Sequence, residues 1–143
     1  MLVVVDTNVL LVSISDRSKY HWLYKAIVEG KISVSFTYDI LIEYEEMIGS
    51  HWHPEVATQT IRSLIELSTA KLTVSYFTLN LIKTDPDDNK FVDCAFASNA
   101  DYIVTHDRDF NILKTISFPS IRVVDLDAFK DILIKKGIIQ LPG

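Results

Sequence analysis

The sequence contains little cysteine, which cross-links many small proteins through disulfides, and little glycine and proline, which are frequent in irregular segments. Among its 143 residues there is one cysteine, Cys94, and there are four glycines and four prolines. A lone cysteine excludes a disulfide within the chain and is typical of a reducing compartment. The shortage of glycine and proline argues against long linkers or a fibrous repeat. We therefore expect a globular chain that is stabilised mainly by its core.

The chain also lacks long apolar runs and an excess of positive charge. No run approaches the roughly 18 residues that a membrane span requires, and the N-terminus lacks the basic segment and cleavage site of a signal peptide. These features predict a soluble, cytoplasmic protein without a membrane segment. The net charge of −5 and the pI of about 5.2 give no global basic surface for nucleic acid. A polyanionic substrate would need a local basic patch or a bound metal ion.

Apolar residues are plentiful and make up 48% of the sequence, enough for a full core. Short β-branched runs without polar alternation, such as "LVVV" at residues 2–5, are typical of strands buried in a parallel sheet. The predicted strands are 2–5, 31–37, 71–76, 102–105 and 121–125, and the predicted helices are 18–29, 38–50, 54–70, 86–100 and 126–137. This alternation predicts one domain over residues 1–143, with a three-layer α/β fold and a mostly parallel sheet of about five strands.

Acidic residues gather near the ends of these strands, at the edge where α/β proteins place their sites. They come from four segments that are far apart in the sequence. The candidates are Asp6, Glu43, Asp88, Asp93, Asp107 and Asp109. Glu43 lies beside the apolar face of its helix, whereas Glu46 continues toward solvent. Asp93 is flanked by apolar residues, where an unpaired carboxylate would be costly.

Carboxylates that converge in this way raise each other's pKa values unless a positive charge neutralises them. The sequence has no basic run nearby, so a divalent cation is the natural neutraliser. Clusters of carboxylate oxygens suit Mg²⁺ or Mn²⁺, which also bind substrate phosphate oxygens. Such an ion lowers the pKa of water and stabilises displacement at a phosphodiester. The acidic residues therefore predict a Mg²⁺ or Mn²⁺ site for phosphodiester hydrolysis.

Three motifs together resemble one known family. They are "VVVDTNVLL" at residues 3–11, "ILIEYEE" at residues 40–46 and "DPDDNKFVDCAFASNADYIVTHDRDF" at residues 85–110. Their order and spacing are similar to those of the PIN domain, and the likeness extends from residue 2 to about residue 126. Within the family, the chain most resembles the bacterial toxin components of toxin–antitoxin systems, the VapC-like ribonucleases.

The resemblance implies a metal-dependent endoribonuclease that cleaves RNA with Mg²⁺ or Mn²⁺. It also implies an antitoxin protein as a partner and a homodimer. The residues that match the family's motifs are Asp6, Asn8, Glu43, Thr105, Asp107 and Asp109. By this resemblance Asp6, Glu43 and Asp107 hold the metal and act in catalysis, Asp109 is a further candidate ligand, and the two polar residues support them.

One position departs from the family pattern. Asn89 stands where many members carry an aspartate. Asp93 lies one turn further along the same helix face, and Asp88 directly precedes Asn89. We choose Asp93 as the fourth catalytic and metal-binding carboxylate, with Asp88 as the second choice and Asp109 as a further candidate ligand.

Simpler roles are open for some of these residues. Asp85, Asp87 and Asp88 precede a helix, where capping and the helix dipole alone favour acids. The alternative function is a catalytically weak protein that keeps the fold and mainly binds a protein partner, and Asn89 is its sequence support. Basic residues suited to phosphate contacts are Lys19, Lys25, Lys90 and Arg108.

Overall fold

The sheet contains five short strands. In the computed structural model, which describes residues 1–140, they are β1 (Leu2–Val5), β2 (Ser33–Phe36), β3 (Ala70–Leu72), β4 (Tyr102–Val104) and β5 (Val123–Val124). Their order across the sheet is β3-β2-β1-β4-β5, and every neighbouring pair is parallel. The predicted parallel sheet of five strands is confirmed. The last three residues of the domain predicted over 1–143 lie outside the described residues.

Helices connect the strands and cover the sheet. Over residues 1–140 they are α1 (Thr7–Ile14), α2 (His21–Val28), α3 (Tyr38–His51), α4 (Pro54–Glu66), α5 (Asn89–Ser98) and α6 (Leu126–Lys135), with 3-10 turns at Pro86–Asp88 and Arg108–Thr115. Helix α5 packs on β1, β2 and β4. Phe129 of α6 packs against Trp22 and Tyr102. The three-layer α/β architecture predicted from the sequence is confirmed. None of the described helices is both long and apolar enough to cross a bilayer.

Several bounds differ from the sequence prediction, since α4 ends at Glu66 and β5 contains only Val123–Val124, and two further segments differ more. The pattern does not predict α1, because "TNVLLVSI" is apolar on nearly every side and shows no helical periodicity. The strand predicted over 71–76 begins at Ala70 and ends at Leu72, and residues 73–83 have no regular secondary structure. Because β3 lies at the edge of the sheet, Val74 and Tyr76 have no neighbouring strand to cover them and are exposed.

The buried centre of the sheet determines where the site lies. Val3, Val4 and Val5 of β1 are almost fully buried. The β1–β4 pairing continues one residue further, since the Asp6 backbone N–H donates to the Val104 carbonyl at 3.0 Å. This register brings the residue after β1 beside the residues that follow β4, at the carboxyl edge of the sheet.

Candidate metal centre

Four carboxylates lie together near the carboxyl end of β4. One oxygen from each of Asp85, Asp88, Asp107 and Asp109 falls within 4.8 Å of the others. Two of these residues follow β4, whereas Asp85 directly precedes the 3-10 turn before α5 and Asp88 is the last residue of that turn. Within residues 1–140, none of the four forms a salt bridge with a basic side chain. This four-carboxylate group therefore concentrates negative charge that no protein cation of the described residues neutralises.

Asp88 is the most perturbed member of the group. Among the described residues, its Oδ2 atom is buried and has no hydrogen-bond partner. Burial, followed by the negative charges of Asp107 and Asp85, raises the pKa of its carboxyl group to about 8. A buried oxygen without a donor, surrounded by other carboxylates, is what a divalent cation would satisfy. The donor set, made only of carboxylate oxygens, fits Mg²⁺ or Mn²⁺.

Thr105 joins Asp6 to Asp107. Its hydroxyl donates to Asp6 Oδ2 at 2.7 Å and accepts from the Asp107 backbone N–H at 3.0 Å. Asp107 Oδ1 in turn accepts from the Asp109 backbone N–H at 2.9 Å, which caps the 3-10 turn. The supporting role that the resemblance implied for Thr105 thus has a concrete form, in which one hydroxyl fixes two acids relative to each other.

Asp6, a predicted ligand, is buried and is held by Thr105, but it is not a member of the four-carboxylate group. Burial raises the pKa of its carboxyl group, the Thr105 hydrogen bond opposes the rise, and the charges of Asp107 and Glu43 increase it. The carboxylate of Asp6 does not cap α1, although the residue stands at the N-cap position. Asn8 is exposed on the first turn of the same helix.

Glu43, another predicted ligand, is not a member of the four-carboxylate group and has its own partners. Thr7 donates its hydroxyl hydrogen to Glu43 Oε2, and Lys90 Nζ lies 2.6 Å from Oε1. The neighbouring Tyr44 is buried and donates to the Val5 carbonyl, which holds α3 against β1. Glu43 is therefore partly buried, whereas Glu46 on the same helix is exposed, as the helical spacing predicts.

The structure does not bring Asp93 into the four-carboxylate group. Its Oδ1 accepts from the Leu79 backbone N–H at 3.0 Å, so the carboxylate is paired with the segment after β3. Burial raises its pKa, and the Leu79 N–H opposes this. Asp93 instead lines a cleft of about 270 Å³ together with Tyr38, Phe77 and Lys90. Of the two candidates in α5 and the turn before it, the group contains Asp88, the second choice from the sequence.

Asn89 explains why the chain departs from the family pattern. Its buried side chain accepts from the Ile82 N–H at 2.9 Å and donates to the carbonyls of Ile82 and Pro86 at 2.7 and 3.0 Å. These bonds fold residues 82–86 onto the start of α5 and so place Asp85 and Asp88 on the same side of the turn. Asp85 was not predicted from the sequence to belong to the group. Its spacing of three residues from Asp88, with Pro86 between them, was the available signal.

Replacing Asn89 by alanine is expected to destabilise the fold by about 2–3 kcal/mol, because buried backbone groups of Ile82 and Pro86 lose their partners. The free energy of unfolding, measured by urea denaturation, checks this. The matched control is Asn111→Ala, at an exposed position after β4, which should change stability by less than about 0.5 kcal/mol. Equal effects of the two changes would contradict the role given to Asn89.

Comparison with known proteins gives the family. The sequence matches the family profile described as PIN domain over residues 2–109. The chain belongs to the PIN domain family. The matched range contains all four carboxylates of the group and extends over most of the chain.

A solved structure shares the PIN fold of this chain. It is the crystal structure of VapBC2 from Rickettsia felis bound to a DNA fragment from their promoter, with a TM-score of 0.57. The alignment covers 87% of this chain and 98% of the other at 16% sequence identity, so the likeness concerns the fold. No curated protein matches the sequence.

Proposed function

We propose that this PIN protein is a metal-dependent endoribonuclease that hydrolyses phosphodiester bonds in RNA. The observation that carries the proposal is the four-carboxylate group, in which Oδ2 of Asp88 has no partner among the described residues. Mg²⁺ or Mn²⁺ bound there would lower the pKa of water and stabilise negative charge on the phosphate oxygens. The family match supports a nuclease, since the carboxylates lie inside the matched range.

The residues of the centre have two different proposed roles, binding the cation and positioning its ligands. Asp88 and Asp107, with Asp85 and Asp109, would hold the cation. Asp6 keeps Thr105 in place, and Thr105 in turn orients the backbone of Asp107. A substrate phosphate would then enter at a centre whose acids are already fixed by hydrogen bonds, which reduces the reorganisation needed for reaction.

Two clefts suit a single-stranded polynucleotide, one lined by Asp93 and Lys90 and the other by Asp107 of the four-carboxylate group. In the cleft of about 270 Å³, Tyr38 and Phe77 are 65% and 62% exposed and present rings on which bases can stack. A second cleft, of about 370 Å³, is lined by Asp107 together with Arg108, Lys114 and His106. Its basic side chains can contact phosphates. We propose that RNA runs from one cleft to the other across the acids.

We further propose that the protein is the toxin of a type II toxin–antitoxin pair, acting in the cytoplasm as a homodimer with an antitoxin partner. Support comes from the fold shared with VapBC2, a structure described as bound to DNA from its own promoter. The alternative, a catalytically weak partner-binding protein, drew its sequence support from Asn89. That residue is engaged in folding the turn before α5, so its identity no longer speaks against catalysis.

Cleavage of single-stranded RNA by the purified protein tests the proposal. We expect cleavage with Mg²⁺ or Mn²⁺, none after chelation, and a loss of at least about 100-fold in Asp107→Asn, which removes one charge from the proposed ligand set. Asp131→Asn, an exposed carboxylate on α6, is the control and should retain full activity. Cleavage that persists in chelator, or equal activity of the two variants, would refute the proposed chemistry.

A further inference from the structure

The 3-10 turn at Arg108–Thr115 has two faces of different character. A 3-10 helix has three residues per turn, so side chains three positions apart lie on the same face. Phe110 and Leu113 have this spacing, and both are buried. Arg108, Asn111 and Lys114 have it too, are exposed, and line the second cleft, of about 370 Å³. The turn therefore packs its apolar face in the core and presents two cations and an amide to this cleft.

The two cations on this face can contact an external anion. Within residues 1–140, neither Arg108 nor Lys114 forms a salt bridge, although the carboxylates of Asp107 and Asp125 line the same cleft. Asp125 caps α6, where its Oδ1 accepts from the Ala128 N–H at 2.8 Å. Asp107 belongs to the four-carboxylate group. The two acids thus serve the helix and the proposed metal site, and the cations remain for a ligand such as a phosphate.

An aromatic ring lines the same cleft. His106 is exposed there, and the Tyr20 ring packs against it with the ring centroids 5.8 Å apart and the planes inclined by 50°. This packing restrains the imidazole, so less freedom is lost when a ligand binds to it. The bases of single-stranded RNA stack on such rings. The cleft therefore combines a stacking surface for a base with cations for a phosphate.

The second cleft adjoins the four-carboxylate group through a shared residue. Asp107 is a member of the group and also lines the cleft. An RNA strand with one phosphodiester at the acids would therefore place a neighbouring nucleotide in the cleft. The volume of about 370 Å³ is at the small end of the range for ligand sites, which suits one nucleotide and not a double helix.

We propose that the second cleft holds the nucleotide next to the bond that is cut, with its base on the His106 ring and its phosphate on Arg108 and Lys114. This inference rests on the proposed ribonuclease function and adds to it the residues that hold the substrate. Arginine can contact a phosphate through two N–H groups, and lysine contacts it as a point charge. Because these side chains bind the RNA and take no part in breaking the bond, changing them affects KM and not kcat.

RNA binding in the presence of EDTA tests the inference without using cleavage. Fluorescence anisotropy of a labelled single-stranded RNA, measured over a series of salt concentrations, gives the affinity and its salt dependence. Each phosphate contact to a single strand contributes about 0.7 to the slope of log K against log salt concentration. We expect Arg108→Gln and Lys114→Gln each to reduce the slope by about this amount, and Arg108→Lys, which keeps the charge, to retain it. Arg62→Gln is the matched control, since Arg62 is exposed on α4 and lines neither cleft.

Two variants of His106 test the stacking surface. We expect His106→Ala to weaken RNA binding at least about fivefold, and His106→Phe, which keeps a ring, to stay within about threefold of the unmodified protein. Equal affinities of these two variants, or the same slope for Arg108→Gln and Arg62→Gln, would overturn the inference. An absence of RNA binding by the unmodified protein would overturn it as well.

Cleavage assays separate this inference from the proposed function. With Mg²⁺, we expect Arg108→Gln to raise KM at least about fivefold and to leave kcat within about threefold. A fall in kcat at unchanged KM would make Arg108 part of the catalytic step and overturn the inference. Cleavage that does not need metal, from a protein that shows the expected losses of binding, would instead overturn the proposed chemistry and leave the RNA contacts standing.

Discussion

Asp88→Asn is expected to reduce RNA cleavage by at least about 100-fold, whereas Asp93→Asn should leave it within about threefold of the unmodified protein. Asp88 lies in the four-carboxylate group and has a buried oxygen without a partner among the described residues. An asparagine there removes one negative charge from the proposed ligand set. Asp93 accepts a hydrogen bond from the Leu79 N–H, and an asparagine oxygen can still accept it.

The two variants control for each other, because both replace a half-buried aspartate by its amide in adjacent turns of the chain. Their kcat/KM values for one RNA substrate, measured at saturating Mg²⁺, give the comparison. Circular dichroism must show that both are folded. If Asp93→Asn lost as much activity as Asp88→Asn, Asp93 would belong to the catalytic centre, as the sequence first indicated. If neither lost activity, the four-carboxylate group would not be the catalytic site.

Asp88 belongs to the four-carboxylate group and Asp93 does not, and this difference shows how much of the site the sequence could predict. Asp6 and Asp107 each follow a predicted strand, so their placement at the carboxyl edge of a parallel sheet could be anticipated from the sequence. Asp93 looked like a site residue because it lies among apolar neighbours, where an unpaired charge is costly. Its partner is a backbone amide 14 residues earlier, in a segment without regular structure. No local pattern predicts that contact.

The fold was easier to predict than the contacts, for a related reason. Buried β-branched runs and amphipathic helices are encoded by neighbouring residues, and the parallel sheet follows from their alternation. Helix α1 was not predicted from the sequence, because it is apolar on nearly all sides and shows no helical periodicity. The pairing of Lys90 with Glu43 joins residues from different helices, so it depends on how α3 and α5 meet, which the sequence pattern does not specify.

In the metal-free protein, stability is expected to fall as the pH rises from about 4 to about 8, and bound Mg²⁺ should remove the part due to Asp88. The pKa of Asp88 is raised from 3.8 to about 8 by burial, Asp107 and Asp85. Below pH 3.8 the carboxyl is protonated in both the folded and unfolded states. Between the two values the folded state holds a proton that the unfolded state has released, so each rise in pH favours unfolding. Above the folded pKa both states are ionised and this loss is complete.

Because Asp88 is half-exposed, water screens much of the shift, and we expect the loss to be about 1–2 kcal/mol, or roughly 3–6 °C in Tm. Asp88→Asn cannot ionise, so its Tm should fall less over the same pH range, and the difference between the two proteins isolates this group. Thermal unfolding followed by circular dichroism, with and without Mg²⁺, provides both curves.

Mg²⁺ requires the ionised carboxylate, so it competes with the proton and stabilises the protein more at high pH than at low pH. Parallel curves for the two metal-free proteins would show that Asp88 ionises normally. A Mg²⁺ effect that did not grow with pH would place the ion away from Asp88.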